Sequence, residues 1–288
     1  MRDPMPSLTR IAAVLVCAVA LAPPARADLK LPRVSPGAVV TQTLGITDIT
    51  VGYSRPGVKG RVIWGDLVPY DKPWRTGANE ATTFTTTGEI QFGGRALPAG
   101  TYSLLTLPGK DEWAVVLNSE KDMWGAFEYK PEKDVMRVTV RPAAAQAQEW
   151  MEFSFENLTP TTADLVLRWE KLRLAVPLSV DVNGQTLAAA RAALADLKAD
   201  DWRTPYQAAG FCFNNDTALD EGRKWLDRSI GILPTHANLN LLARWQMKTG
   251  NKQDAIATAR KAIEVGKASK EKVDTTPTEK LLAEWTAK

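Results

Sequence analysis

The sequence predicts an antiparallel β-sandwich or jelly-roll-like domain followed by a short module of α-helical, tetratricopeptide-like repeats. Three observations carry this. Across residues 34–180, short runs alternate apolar and polar residues between Gly- and Pro-containing turns, with no helical period among them. That is the pattern of a sandwich whose strands each keep one face in water. Beyond Asp181-Val182-Asn183-Gly184 alanine becomes frequent and the apolar period becomes helical. From Tyr206 onward, two helix pairs overlay at an offset of about 33 residues, a length in the range of helical repeats.

The first 27 residues read as a targeting segment and are left out of the fold. Arg2 and Arg10 precede an apolar run over residues 11–22, and Ala25-Arg26-Ala27 supplies small residues for cleavage. The run is too short to span a bilayer, and no later run approaches the ~20 residues a span needs. The expectation is an exported protein, periplasmic or secreted, with no membrane span. Cys17 has bulky Val16 before it, which argues against lipidation, and after cleavage only Cys212 remains, a small core residue rather than half of a disulfide. The formal charge of +3 falls to about +1 once Arg2, Arg10, Arg26 and Asp3 are removed, so nothing in the charge balance points to nucleic acid.

In chain order, residues 28–40 read as a proline-punctuated lead. Ile49, Val51 and Tyr53 alternate with Thr50, Gly52 and Ser54 in a first strand. A long aperiodic stretch, 53–83, intervenes. Phe84 among threonines begins the next strand, then Ile90 and Phe92 lead into Gly93-Gly94, a hairpin-type turn. Further strands are read around Tyr102–Leu107, Trp113–Leu117, Met136–Val140, Met151–Phe155, Leu165–Trp169 and Leu172–Leu178, and Trp124-Gly125 with Phe127 and Tyr129 forms a second loop.

The helical module is read as residues 186–288. Leu187, Ala190, Arg191 and Leu194 share adjacent turns of the first helix. Tyr206, Ala209, Gly210 and Phe213 precede Gly222, Leu226 and Ser229 in one pair, and Leu239, Leu242, Ala243 and Gln246 precede Ala255, Ala259 and Ala262 in the next. The small residues at these spacings resemble those of the tetratricopeptide repeat, where they let paired helices approach closely. Such a module is a candidate surface for a protein partner. Thr204-Pro205-Tyr206-Gln207 and Thr276-Pro277-Thr278-Glu279 each read as a capping box with proline in the first turn.

The aperiodic stretch is where function is sought. A loop this long in a compact domain is usually functional or disordered, and its aromatic content argues against disorder. The strings YSRPGVKGR, LVPY and WRTGANEATT, with LPAGTYSLLTLPG and Trp113 downstream, resemble the family catalogued as domain of unknown function 2911 across about residues 34–180. The resemblance implies a fold region and a secreted setting but no activity.

Chemistry must therefore be read from the residues. The only histidine, His236, lies in the helical part, which removes His-based triads, His general bases and His-metal clusters from the sandwich. There is no phosphate loop or dinucleotide fingerprint, and no cofactor or metal is expected. Ser54 with Lys59 would make a Ser–Lys dyad, and Asp66, Asp71 and Glu80 offer carboxylates for a hydrolase acting on a glycan or ester. A binding site is better supplied. Arg55, Arg61 and Arg75 are planar forks for carboxylate or phosphate. Trp64, Tyr70 and Trp74, with Tyr53 at the strand end, give flat faces for stacking. Asn79 offers both donor and acceptor beside Glu80. The leading expectation is a binding protein for a small polar or anionic ligand. The same residues also suit an internal scaffold, with an Arg75–Glu80 ion pair, Asn79 bonded to backbone and tryptophans in the core.

Overall fold

The computed structural model describes residues 31–287. The targeting segment, 1–27, lies outside the described residues. Ten strands form two antiparallel sheets. The six-stranded sheet has the order β1 (Gly37–Leu44), β2 (Thr47–Ser54), β3 (Thr82–Thr86), β6 (Gly100–Leu107), β7 (Trp113–Asn118), β8 (Asp134–Val140). The four-stranded sheet has the order β5 (Arg95–Leu97), β4 (Ile90–Phe92), β10 (Thr162–Ser179), β9 (Ala143–Glu156). Inward residues of both sheets make one core: Ile49, Val51, Phe84, Leu104, Val115 and Leu117 from the first, and Phe92, Met151, Phe153, Leu165, Leu167 and Val176 from the second. This is the sandwich the alternation predicts.

Several details differ from the sequence reading. The end of the proline-punctuated lead, from Gly37, is the start of strand β1. It is an edge strand in which only Leu44 is fully buried, so its burial gives no strong period to read. The strands read at Leu165–Trp169 and Leu172–Leu178 are one strand, β10. It changes register on β9 at Glu170, whose φ is +55°. The Trp169–Glu170 break in alternation is thus a bulge, not a turn. β6 is buried on both faces because a second apolar cluster lies outside the sheet: Ala81, Leu105, Val116 and Met123, with Leu107, Ala126 and Tyr129 against it. The second loop therefore covers the outer face of β6 and β7, and this brings it beside the end of the first.

Six helices follow: α1 (Val182–Ala195), α2 (Arg203–Asn214), α3 (Leu219–Ile232), α4 (His236–Lys248), α5 (Lys252–Ala268) and α6 (Thr276–Thr286). Asp181 caps α1 through Gly184 N–H at 2.9 Å, and Gln185 of α1 bonds Thr47 and the Glu89 carbonyl, tying the helical part to the sandwich. Helices α2 and α3 form one hairpin, and α4 and α5 the next. Ala209, Cys212 and Leu226 are buried in the first, while Ala243, Ala255, Ala259 and Ala262 are buried in the second. A methyl group on Gly222 would stand 2.5 Å from Cys212 Cβ, so this crossing needs glycine.

Neither capping box falls where it was expected. Helix α2 begins one residue before Thr204, and the Asp201 carboxylate takes the N–H groups of Arg203 and Thr204 and the Thr204 hydroxyl. Those bonds hold the Asp201 carboxyl below its usual range. Helix α6 begins at Thr276 after Thr275, and Asp274 accepts from Thr276 N–H. In both, a carboxylate just upstream outcompetes threonine for the same donors. The reciprocal box is at α4, between Thr235 and Asn238.

Candidate functional site

The loop from Arg55 to Ala81 runs from β2 to β3 and is both turned on itself, as in the Trp64–Val68 bridge, and stitched to its surroundings. Gly57 pairs with Trp150 at the edge of β9, Trp74 pairs with Thr106 of β6, and Glu80 pairs with Trp124 of the second loop. Val58 N–H donates to the Glu149 carbonyl at 2.9 Å, and Met151 N–H to the Pro56 carbonyl at 3.0 Å. These bonds satisfy backbone groups that a buried loop would otherwise strand.

Most of the residues singled out from sequence have structural work. Tyr53 is buried, edge-on to Phe153 at 5.0 Å, and its hydroxyl accepts from Phe153 N–H. Burial raises its pKa. Arg55 donates from Nε to the Met151 carbonyl at 2.7 Å, with Nη2 3.9 Å from Glu152. Arg61 donates to the carbonyls of Gly57 and Val58, closing its own turn. Tyr70 packs on Gly65, where a Cβ would come within 2.8 Å of its ring. Trp64 and Trp74 join Trp113 and Trp169 in a four-indole cluster with ring centroids 5.0–6.4 Å apart, and Trp74 Nε1 donates to the Gly77 carbonyl. The two loop tryptophans are thus core, not platform. The Nε1 atoms of Trp64 and Trp169 are buried without partners.

Asn79, at φ +59°, donates from Nδ2 to the Ser35 carbonyl and to Ser54 Oγ, each at 3.1 Å. It therefore binds the loop to the start of the sandwich and not to Arg75 or Glu80. The same bond occupies Ser54, which is buried, while exposed Lys59 lies over the Trp150 ring, so the two do not make a dyad. The Arg75–Glu80 ion pair does not form either. Glu80 sits in the bridge to Trp124 with its side chain exposed, and Arg75 extends beside the turn at Gly125. Asp66 and Asp71 are exposed, and no group of three or more acidic, histidine or cysteine side chains could hold a metal among the described residues.

Arg75 is left as the exception. Its side chain is half-buried, and among the described residues its buried Nε has no hydrogen-bond partner and no carboxylate pairs with it. Burial pushes the guanidinium below its usual pKa with nothing opposing the shift. Around it the second loop presents residues that the sequence reading passed over. A methyl group on Gly125, which has φ +75°, would lie 3.6 Å from Arg75 Nη1 and 3.0 Å from the Phe127 ring. Trp124 is 61% exposed and Phe127 90% exposed. The aromatic residues around Gly125 carry the same signal that marked the first loop.

That second loop is anchored. Ala81 N–H donates to the Met123 carbonyl at 3.0 Å, and the Tyr129 hydroxyl donates to Asp134 Oδ2 at 2.8 Å while accepting from Arg137. Burial, then the bond to Asp134, pushes the Tyr129 hydroxyl up to about 12, so it stays a donor at any physiological pH. The result is a guanidinium with spare donors, flanked by two solvated aromatic rings on a pinned turn.

The family described as protein of unknown function (DUF2911) matches residues 35–178. The chain belongs to that family. In this DUF2911 member the matched segment is the sandwich with both loops, and the helices lie beyond it. No curated protein and no solved structure matches the chain. Membership therefore brings no activity with it, and Arg75 must be read on its own chemistry. In the helical part of this DUF2911 chain, where a protein partner was expected, Trp202, Leu233, His236, Val265 and Val273 line an apolar crevice of about 470 Å3.

Proposed function

We propose that this DUF2911 protein is an exported binding protein. In this reading a ligand bearing an anionic or strongly polar group docks on Arg75, at the mouth between the two loops. One observation carries the reading: Arg75 alone among the three loop arginines lacks a partner. Arg55 and Arg61 spend their forks on backbone carbonyls and on Glu152. A half-buried, permanently charged group with a buried donor unmet costs stability, and folds keep such groups where a ligand completes them. The rest of the loop is held by backbone bonds to β6, β9 and the second loop, which limits the ordering cost of binding.

The N-terminal segment, with its basic start, apolar run and small-residue cleavage site, supports export. The two helix hairpins, with small residues at each crossing, support reading the C-terminal part as tetratricopeptide-like.

The test is thermal stability against simple anions. Citrate, sulfate and phosphate should each raise the melting midpoint of the full chain, since a ligand that binds only the folded state stabilises it. The effect should vanish in Arg75→Gln while persisting in Arg61→Gln. If no anion shifts the wild type, or if Arg75→Gln responds as the wild type does, the reading is wrong.

A further inference from the structure

We propose that copies of this chain join through unlike surfaces. The turn carrying Trp124 and Phe127 on one copy seats its two rings in the apolar crevice of the helical part of another. This goes beyond the Arg75 reading and does not rest on it.

The first argument is the turn. Among the described residues Phe127 is the most exposed large apolar side chain, at 90%, and Trp124 in the same turn stands at 61%. Single exposed apolar residues are ordinary, but two large rings within four residues make a patch, and such patches mark contacts between proteins. The backbone beneath them is fixed. The Met123 carbonyl takes the Ala81 N–H, Glu80 and Trp124 pair in an antiparallel bridge, and the Tyr129 hydroxyl bonds Asp134. Gly125 has φ +75°, and a Cβ on it would stand 3.0 Å from the Phe127 ring, so the turn as built favours glycine. The rings are held out into water on a formed support, which lowers the ordering cost of docking them.

The second argument is the crevice. Its walls include Trp202, Leu233, Val265, Ala268 and Val273, and its volume of about 470 Å3 is in the range that takes up a ligand-sized apolar group. Its frame is also fixed. Asn238 donates to the Leu233 carbonyl at 2.9 Å and to Ser229 Oγ at 3.0 Å. Gly266 packs so closely on the start of α6 that a methyl there would lie 2.6 Å from Thr275 Cγ2. Within one chain the rings stand exposed and the crevice stands open, so neither fills the other. Aromatic side chains that enter a pocket on the partner carry much of the energy of protein contacts.

The third argument is charge, and it favours a second copy as the occupant. Over residues 121–128 the turn carries Asp122 and Glu128 against Lys121. Over residues 270–273 the rim of the crevice carries Lys270 and Lys272 against Glu271, while Asp274 is taken up at the start of α6. Arg203 adds a further positive charge, lying 4.9 Å over the Trp202 ring. An acidic excess around the rings thus meets a basic excess around the crevice, whereas two turns or two crevices brought together would repel. Contacts between unlike surfaces of identical chains close into rings or grow into chains.

The experiment is sedimentation equilibrium of the full chain from about 1 to 300 µM, the range for a weak contact burying less than roughly 1,200 Å2. The average mass should rise above that of one chain as concentration rises. Trp124→Ala and Phe127→Ala should each weaken association about fivefold or more, as loss of an interface anchor does. Ala268→Trp, which narrows the crevice, and Leu233→Glu, which charges its wall, should do the same. All four side chains are exposed, so these variants keep the fold. The Phe127→Ala and Ala268→Trp copies, each monomeric alone, should bind one to one when mixed, because one retains the crevice and the other the rings. Lys270→Glu with Lys272→Glu should weaken association about two- to fivefold, and Glu128→Lys in the same chain should restore part of it. A wild type that keeps the mass of one chain throughout would overturn the inference. An apolar dye entering the crevice of such a monomer would assign it to a small molecule instead. Association untouched by the ring and crevice variants, or no binding between the mixed copies, would overturn it as well.

Discussion

Replacing Arg75 with methionine should make the protein more stable while removing the proposed anion site. Met keeps the length and packing of the Arg stem but carries neither charge nor N–H. In the wild type, among the described residues, Arg75 Nε is buried with no partner and no carboxylate pairs with the guanidinium. A fully buried unmet donor costs ~1–3 kcal/mol. The side chain is only half-buried, and solvent screens the exposed part, so about half of that, ~0.5–1.5 kcal/mol, is the expected gain. For a chain of this size 1 kcal/mol moves the midpoint by ~2–4 °C, which puts Arg75→Met about 1–6 °C above wild type. The assay is thermal unfolding of the full chain followed by near-ultraviolet dichroism, to which the four-indole cluster of the sandwich and the tryptophans of the helical part both contribute. Saturating ligand should reverse the order, since at a hundredfold excess over Kd the wild type alone gains ~2.7 kcal/mol. A loss of more than ~1 kcal/mol in Arg75→Met, beyond what exposed charges contribute, would refute the reasoning. The guanidinium would then be part of what holds the loop.

Two further outcomes follow from the helical part. Gly222→Ala gains ~1 kcal/mol of helix propensity but sets a methyl 2.5 Å from Cys212 Cβ and 3.1 Å from Trp245, and overpacking of ~1–3 kcal/mol or more should win. A net loss of about 1–2 kcal/mol in far-ultraviolet melts is expected, not rescued by Cys212→Ala, because the clash is with a Cβ that alanine retains. Stability of the helical part should also fall with acid near the histidine range. His236 bonds Thr278 and packs against Gly266, burial lowers its pKa below 6.5, and the charge of Asp274 opposes that only in part. The unfolded chain therefore takes up the proton first: this contribution is whole above the unfolded pKa and is lost as pH falls through the folded one. His236→Gln should flatten the dependence, and an unchanged pH profile in that variant would dismiss it.

What could be read from the sequence was whatever repeats locally. β2, β8 and the two halves of β10 alternate because one face of each is wet, and the helix hairpins show their small residues at fixed spacing. β1 hid because an edge strand need not bury a face. The first half of β9 hid because Ala143 to Gln148 is alanine and glutamine, mostly exposed. The helix starts at Thr204 and Thr276 were displaced because Asp201 and Asp274, just upstream, are better acceptors for the same N–H groups. At the site, the loop was legible and its division of labour was not. Arg55, Arg61 and Arg75 look alike in the chain. Arg55 is satisfied by the carbonyl of Met151 on β9, and no local pattern encodes that bond. Arg75 and Glu80 are five residues apart and look like partners, but pairing with Trp124 commits the Glu80 backbone to the second loop.

The order of strands in the two sheets has a kinetic consequence. In the six-stranded sheet each strand pairs with its neighbour in the chain, apart from the step over the β4–β5 hairpin. Such contacts close short loops and form early. The β4–β5 hairpin has only three residues per strand, too little to persist alone in water. It must wait for β10, which meets β4 through Leu178 and Ser179 at its far end and carries β9 along most of its length. A chain emerging from its amino end can therefore assemble one sheet and still hold the inner faces of Phe84, Leu104 and Leu117 open to water. The slow step of folding is then the arrival of a single strand, and variants at Leu165, Leu167 or Val176 should slow refolding more than they speed unfolding if that docking forms the nucleus.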